Sequence, residues 1–106
     1  MNHRKKDILE KKLILGNLLA QRGKMWSFQN KLGIDYPDEY LIEQSLLYLE
    51  LEEFPILFEI YPKKICKKLW REKLVPQREY YYITNFILAT FIFNIKNPDS
   101  YFKRYE

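Results

Sequence analysis

The chain of 106 residues has one cysteine, one histidine and three glycines, and each scarcity excludes a class of protein. A single cysteine, Cys66, rules out an internal disulfide framework and a cysteine-rich zinc module. The one histidine, His3, lies in the polar N-terminal stretch, so we expect no histidine-dependent site in the folded part. No G-x-G or G-K-S/T run is present, which excludes a Walker or Rossmann phosphate loop. We therefore expect no cofactor, no metal ion and no enzymatic activity.

Long apolar runs are also missing. The most apolar stretch, residues 80–95, contains Thr84, Asn85, Thr90 and Asn94 and falls short of the ~20 apolar residues that a membrane span needs. The N-terminus lacks the unbroken apolar region and the cleavage site of a signal peptide. Leu, Ile, Val and Phe nevertheless supply 34 residues, enough for a folded core. We predict one helical domain over 1–106, with 1–6 as a flexible basic leader, in the cytoplasm and without membrane contact.

Apolar spacing and proline positions predict an all-α fold, a compact bundle of about five helices. Asp7 and Glu10 resemble a capping box that opens a first helix, which runs to about Arg22. Residues 24–36 have no clean period, and we interpret them as a loop whose Trp26 and Phe28 fill the core. The segment FPILFEIY, residues 54–61, fits a short helix, with a strand as the alternative. Prolines, which favour the first turn of a helix, predict helix starts at Pro37, Pro55, Pro62 and Pro98.

Residues 79–94 are apolar on almost every side, which is typical of a helix enclosed by others. We predict that this helix is the centre of the bundle. Phe86 and Phe91 would then be core residues, and replacing either by alanine would cost ~3–5 kcal/mol.

Charge is segregated into blocks along the chain. Residues 1–31 carry a net charge of +6, residues 32–61 carry eight acids and no lysine or arginine, and residues 62–78 return to +6. Such blocks make a dipolar surface. Acidic runs on helices are usually solvated, and we expect no metal at the cluster Glu50, Glu52, Glu53 and Glu59.

The segment 62–74, PKKICKKLWREKL, is strongly amphipathic. At 100° per residue, five cations fall within an arc of about 140°, namely Lys63, Lys64, Lys67, Lys68 and Arg71. The opposite side is predicted to hold Ile65, Cys66, Leu69 and Trp70. Three interpretations stay open: a solvated face neutralised by the acidic segment 32–61, a surface for an acidic protein partner, or contacts with phosphates of nucleic acid. Nucleic acid binding would be weak and non-specific, because the face has no base-reading Asn, Gln or Ser.

Three consecutive tyrosines, residues 80–82, cannot all be buried on one helix face, because successive side chains lie 100° apart. Tyrosine is enriched at binding hot spots. We therefore predict that Tyr81 reaches the surface and binds the partner together with Lys64, Lys67, Lys68 and Arg71. The alternative is that a small core uses large aromatic side chains simply to fill itself.

The order of motifs over residues 25–100 resembles a known group of proteins. Met25-Trp26-Ser27 precedes the acidic helix LIEQSLLYLELEEFPILFEIY, then a lysine-rich helix with a tryptophan, KLVPQ, an aromatic helix and a closing IKNP. This order resembles small, uncharacterised helical proteins of bacteria, some encoded beside nucleotidyltransferase toxins of the abortive-infection type. The resemblance implies a role as the partner or antitoxin of such a toxin. We thus predict a non-enzymatic, antitoxin-like interaction or regulatory subunit, with a nucleic-acid-binding regulator using the basic 62–78 face as the alternative.

Overall fold

The computed structural model describes residues 2–21, 37–77 and 79–104. These residues form helices and turns, and none of them is in a strand. The α-helices in these ranges are α1 Asn2–Gln21, α2 Asp38–Tyr48, α3 Phe54–Ile60, α4 Lys63–Leu69, α5 Tyr82–Ile87 and α6 Pro98–Arg104. A 3₁₀ turn, Leu51–Glu53, precedes α3. The helix begun by α4 continues through a π-helical turn, Trp70–Leu74, and a 3₁₀ turn, Val75–Gln77, while α5 continues through a second π-helical turn, Leu88–Ile92. The all-α compact bundle is confirmed.

Four helices begin at or next to a proline, as predicted. At two of these prolines the helix begins one residue later than predicted. Pro37 and Pro62 have extended ψ angles of 144° and 142°, so they are N-caps and the helices begin at the next residue. Tyr61, which precedes Pro62, is extended as residues before proline usually are, and this ends α3. Pro55 lies in the first turn of α3, so the strand alternative for this segment is wrong.

The first helix begins earlier than the sequence suggested. It starts at Asn2, so Asp7 lies inside α1 and does not cap it. Between residues 2 and 7 there is no proline or glycine to stop the helix from extending back through the basic residues. Leu15 and Leu19 of α1 are fully buried, and the helix packs on α2 and α3. The predicted loop with Trp26 and Phe28, and the end of the first helix at Arg22, lie outside the described residues.

Trp70 and Asn85 occupy the centre of the core, and both are fully buried. The indole Nε1–H of Trp70 donates to Asn85 Oδ1 at 3.0 Å, and Asn85 Nδ2 donates to the carbonyl of Leu74 at 2.9 Å. The indole also stacks on Phe93 and Tyr101, with ring centroids 4.9 and 5.6 Å apart. Trp70 thereby connects its own helix to α5 through Asn85, to the segment that follows α5 through Phe93, and to α6 through Tyr101.

The side-chain amides satisfy carbonyls that the end of a helix leaves without donors. Pro76 has no N–H to donate within the helix, and the last carbonyls of any helix lack internal partners. Gln77 Nε2 donates to the carbonyl of Lys73 at 2.8 Å, and Asn85 does the same for Leu74. The buried carbonyl of Leu74 therefore has a donor, and the carbonyl of Lys73 at the surface has one as well.

The prediction that residues 79–94 form an enclosed central helix is wrong. The inner side of α5 and its continuation is buried at spacings of three and four residues, through Asn85, Leu88, Ala89 and Ile92. The outer side faces solvent, where Phe86 is 38 % exposed and Phe91 63 % exposed. This helix therefore has an apolar inner side and an apolar outer side. The described part of the chain buries only the inner side.

We expect the isosteric change Asn85→Leu to lower the free energy of unfolding by about 2–5 kcal/mol, because it leaves the Trp70 N–H and the Leu74 carbonyl buried without partners. Chemical denaturation measures this loss. Asn17→Leu, on the exposed side of α1, is the matched control and should change stability little. A loss below about 1 kcal/mol for Asn85→Leu would show that the amide is not needed to satisfy these groups.

Candidate functional site

A groove on α4 contains all four of the predicted basic site residues. It has a volume of about 380 Å³ and is lined by Lys64, Ile65, Lys67, Lys68 and Arg71. We call it the lysine groove. Because four of its five lining side chains are cations on neighbouring turns of one helix, it is a surface suited to anionic groups.

Packing of α4 explains which residues reach the groove. Cys66, Trp70 and Leu74 point into the core, so the cations between them are turned outward. Lys67 is half-buried, and its Nζ lies 5.8 Å from the ring centroid of Tyr101, a distance suited to a cation–π contact. Ile65, predicted to join the buried side, is instead 47 % exposed, because the buried stripe is centred on Cys66 and Trp70.

Two ion pairs join the acidic segment to α1. Lys12 Nζ lies 3.2 Å from Asp38 Oδ1, and Lys11 Nζ lies 3.3 Å from Glu59 Oε2. Within the described ranges, Lys64, Lys67 and Lys68 form no ion pair with a carboxylate. Internal neutralisation by residues 37–61 therefore does not extend to these three lysines.

Two of the clustered glutamates serve the fold. The backbone N–H of Glu50 donates to Glu53 Oε1 at 2.9 Å, and the Glu50 side chain accepts from the backbone of Glu53 in return. This reciprocal capping stabilises the 3₁₀ turn before α3. Among the residues that the structure describes, no group of three or more His, Cys, Asp or Glu side chains is arranged to hold a metal ion.

Tyr81 is not brought to the lysine groove. It is half-buried and packs against the core, whereas its neighbour Tyr80 is 82 % exposed. Burial raises the pKa of Tyr81, and electrostatic repulsion from Tyr48 and Glu43, both on α2, raises it further. The aromatic residue beside the lysines is Tyr101 of α6, which sequence reasoning missed because nothing in the local pattern pairs residue 67 with residue 101.

The cysteine is a core residue. Cys66 is fully buried, and its Sγ lies 3.8 Å from the carbonyl oxygen of Tyr61. Burial raises the pKa of the Cys66 thiol to about 12. The thiol is therefore protonated at neutral pH, and since the thiolate is the reactive form, Cys66 is unsuited to nucleophilic attack.

Comparison with protein families, with curated proteins and with solved structures found no match to this chain. Within the described ranges, no helix has the length and apolar character that a bilayer crossing requires.

Asp38 of α2 links α1 and the end of α3. Its Oδ1 accepts a hydrogen bond from the hydroxyl of Tyr61 as well as from Lys12. The Tyr61 hydrogen bond, with a smaller contribution from Lys12, lowers the pKa of Asp38 below its ordinary value of 3.8, although partial burial opposes the shift. Burial and the bond to Asp38 raise the pKa of Tyr61.

This lowered pKa predicts an acid-dependent part of the stability. The ionised Asp38 stabilises the folded state at pH values above its unfolded pKa, and this contribution is lost as the pH falls through its folded pKa, below 3.8. We expect Asp38→Asn to lower the melting temperature near neutral pH and to have a progressively smaller effect as the pH falls below 3.8. Glu39→Gln, in the same helical turn, controls for the helix dipole. An Asp38→Asn effect that does not depend on pH would contradict this prediction.

Proposed function

We propose that this protein is a non-enzymatic interaction subunit of the cytoplasm, which binds an acidic protein partner through the lysine groove. The observation that carries the proposal is the absence of carboxylate partners for Lys64, Lys67 and Lys68 among the described residues. Unpaired like charges on adjacent turns repel one another by tenths of a kcal/mol each, which a purely structural helix does not need.

An acidic partner removes this repulsion and speeds association. Complementary charge steers two proteins towards the correct orientation before contact is made. Ile65 gives the groove an exposed apolar side chain, and the Tyr101 ring lies at its edge beside Lys67. The groove therefore combines charges that select the partner with apolar area that contributes to binding after contact.

The resemblance to bacterial helical proteins encoded beside nucleotidyltransferase toxins suggests the partner's role. On this proposal the protein is antitoxin-like, and the toxin or another regulated protein supplies the acidic surface. The alternative is a nucleic acid regulator in which the same lysines contact phosphates. That interaction would be weak, non-specific and strongly weakened by salt.

We expect the triple change Lys64→Glu, Lys67→Glu and Lys68→Glu to alter the free energy of unfolding by no more than about 1 kcal/mol. Lys64 and Lys68 are exposed, and Lys67 loses only its cation–π contact with Tyr101. The same variant should lose binding to a labelled glutamate-rich peptide, measured by fluorescence anisotropy. The control variant reverses Lys73, Lys96 and Lys103, which are exposed outside the groove, and makes the same change in net charge. It should retain most of the binding.

Three results would count against the proposal. Equal loss of binding in both triple variants would mean that net charge alone attracts the peptide. Destabilisation of the groove variant by several kcal/mol would mean that the lysines serve the fold. Tighter binding to duplex DNA than to the peptide, with a steep salt dependence, would favour the nucleic acid alternative.

A further inference from the structure

The outer side of α5 and its continuation carries a second apolar stripe that the described part of the chain leaves in solvent. Ile83 is 73 % exposed, and the large apolar side chains on this side are Tyr80, Tyr82, Ile83, Phe86, Ile87 and Phe91. We call these six residues the apolar face. Scattered exposed apolar residues are normal, but a contiguous stripe of this size marks a binding surface.

Two adjoining grooves give the apolar face its shape. One, of about 320 Å³, runs between the end of α2 and α5, where Leu47, Leu51 and Ile87 are among the lining residues. The other, of about 190 Å³, is lined by Tyr82, Ile83, Phe86 and Ile87. Ile87 lines both grooves, so together they form one furrowed surface along α5.

Acidic side chains lie on two sides of this surface. Glu50 lines the larger groove, and Asp99 on the α6 side accepts a hydrogen bond from the Tyr82 hydroxyl at 3.1 Å. No lysine or arginine is among the residues that line the two grooves. The apolar face therefore lies between two acidic borders.

We infer that the apolar face binds an amphipathic helix of another protein, whose apolar stripe is flanked by lysine or arginine. Residues 80–91 would span about 18 Å if helical, which matches a partner helix of three to four turns. Apolar side chains at positions i, i+3, i+4 and i+7 of that helix fill the grooves, as in helix-in-groove recognition. Its basic flanks lie opposite Glu50 and Asp99, which sets its orientation.

This surface is separate from the lysine groove. The inner sides of α4's continuation and α5 meet at Trp70 and Asn85, so the lysine groove and the apolar face lie on outward sides of the two helices. They share no lining residue. A second copy of the chain is a poorer occupant, because its own apolar face would bring Glu50 and Asp99 against the same acidic borders.

The test uses three labelled peptides of 18 residues in fluorescence anisotropy with the full chain. The first has leucines on one helical face and lysines beside them, the second replaces the lysines by glutamates, and the third scrambles the leucines off one face. The comparison of the three peptides is made on the lysine-groove triple variant, so that the glutamate peptide cannot bind at the lysine groove. We expect saturable binding of the first peptide and binding at least about tenfold weaker for the other two. Ile83→Asp, in the smaller groove, and Leu51→Asp, in the larger groove, should each abolish binding.

Two control variants should bind the first peptide like the unmodified chain. One is Ile14→Asp, which makes the same change at an exposed isoleucine on α1, and the other is the lysine-groove triple variant. Thermal melts of each variant establish that it is folded. Equal affinity for the lysine and glutamate peptides would overturn the proposed basic flank. Sedimentation showing a dimer of the unmodified chain that Ile83→Asp dissociates would overturn the helix partner and assign the apolar face to a second copy.

Discussion

The hydrogen bonds of the Asn85 amide are the interaction on which both outer surfaces depend. A buried indole N–H and a carbonyl at a helix end each need a partner that water cannot supply inside the core. One amide offers an acceptor to Trp70 and a donor to Leu74 at once. Because Asn85 has to face Trp70, the rotation of α5 about its own axis is set, and Ile83 and Phe91 are turned outward.

The same interaction orients α4. With Trp70 and Cys66 directed into the core, the lysines on neighbouring turns are directed away from it. The aromatic rings of Phe93 and Tyr101 then close over the indole and bring α6 beside Lys67. A single buried contact between two helices thus leaves one cationic and one apolar surface on their outer sides.

Much of the fold followed from local sequence, and most of the candidate site did not. The clustering of Lys64, Lys67, Lys68 and Arg71 follows from helical spacing alone. The role of Asn85 was harder to predict, because a polar residue in an apolar helix ordinarily marks the solvent side. Two features elsewhere in the sequence called for a buried amide. Trp70 places an N–H on the apolar arc of its helix, and the helix that ends at Val75-Pro76 leaves carbonyls that need hydrogen-bond donors. The pairing of Tyr101 with Lys67 had no local signal at all.

The amino-acid sequence by itself determined that the described chain is helical and where most helices begin, because the fixed φ of proline and its missing N–H act on adjacent residues. It also determined the charge blocks. Only the tertiary structure decided that the acidic segment pairs with Lys11 and Lys12 of α1, and that one apolar side of α5 is buried while the other is exposed. A helix that is apolar all round carries no information about which side will face the core, since burial of either side gains a similar hydrophobic free energy, and the choice depends on the hydrogen bonds that one buried amide can make.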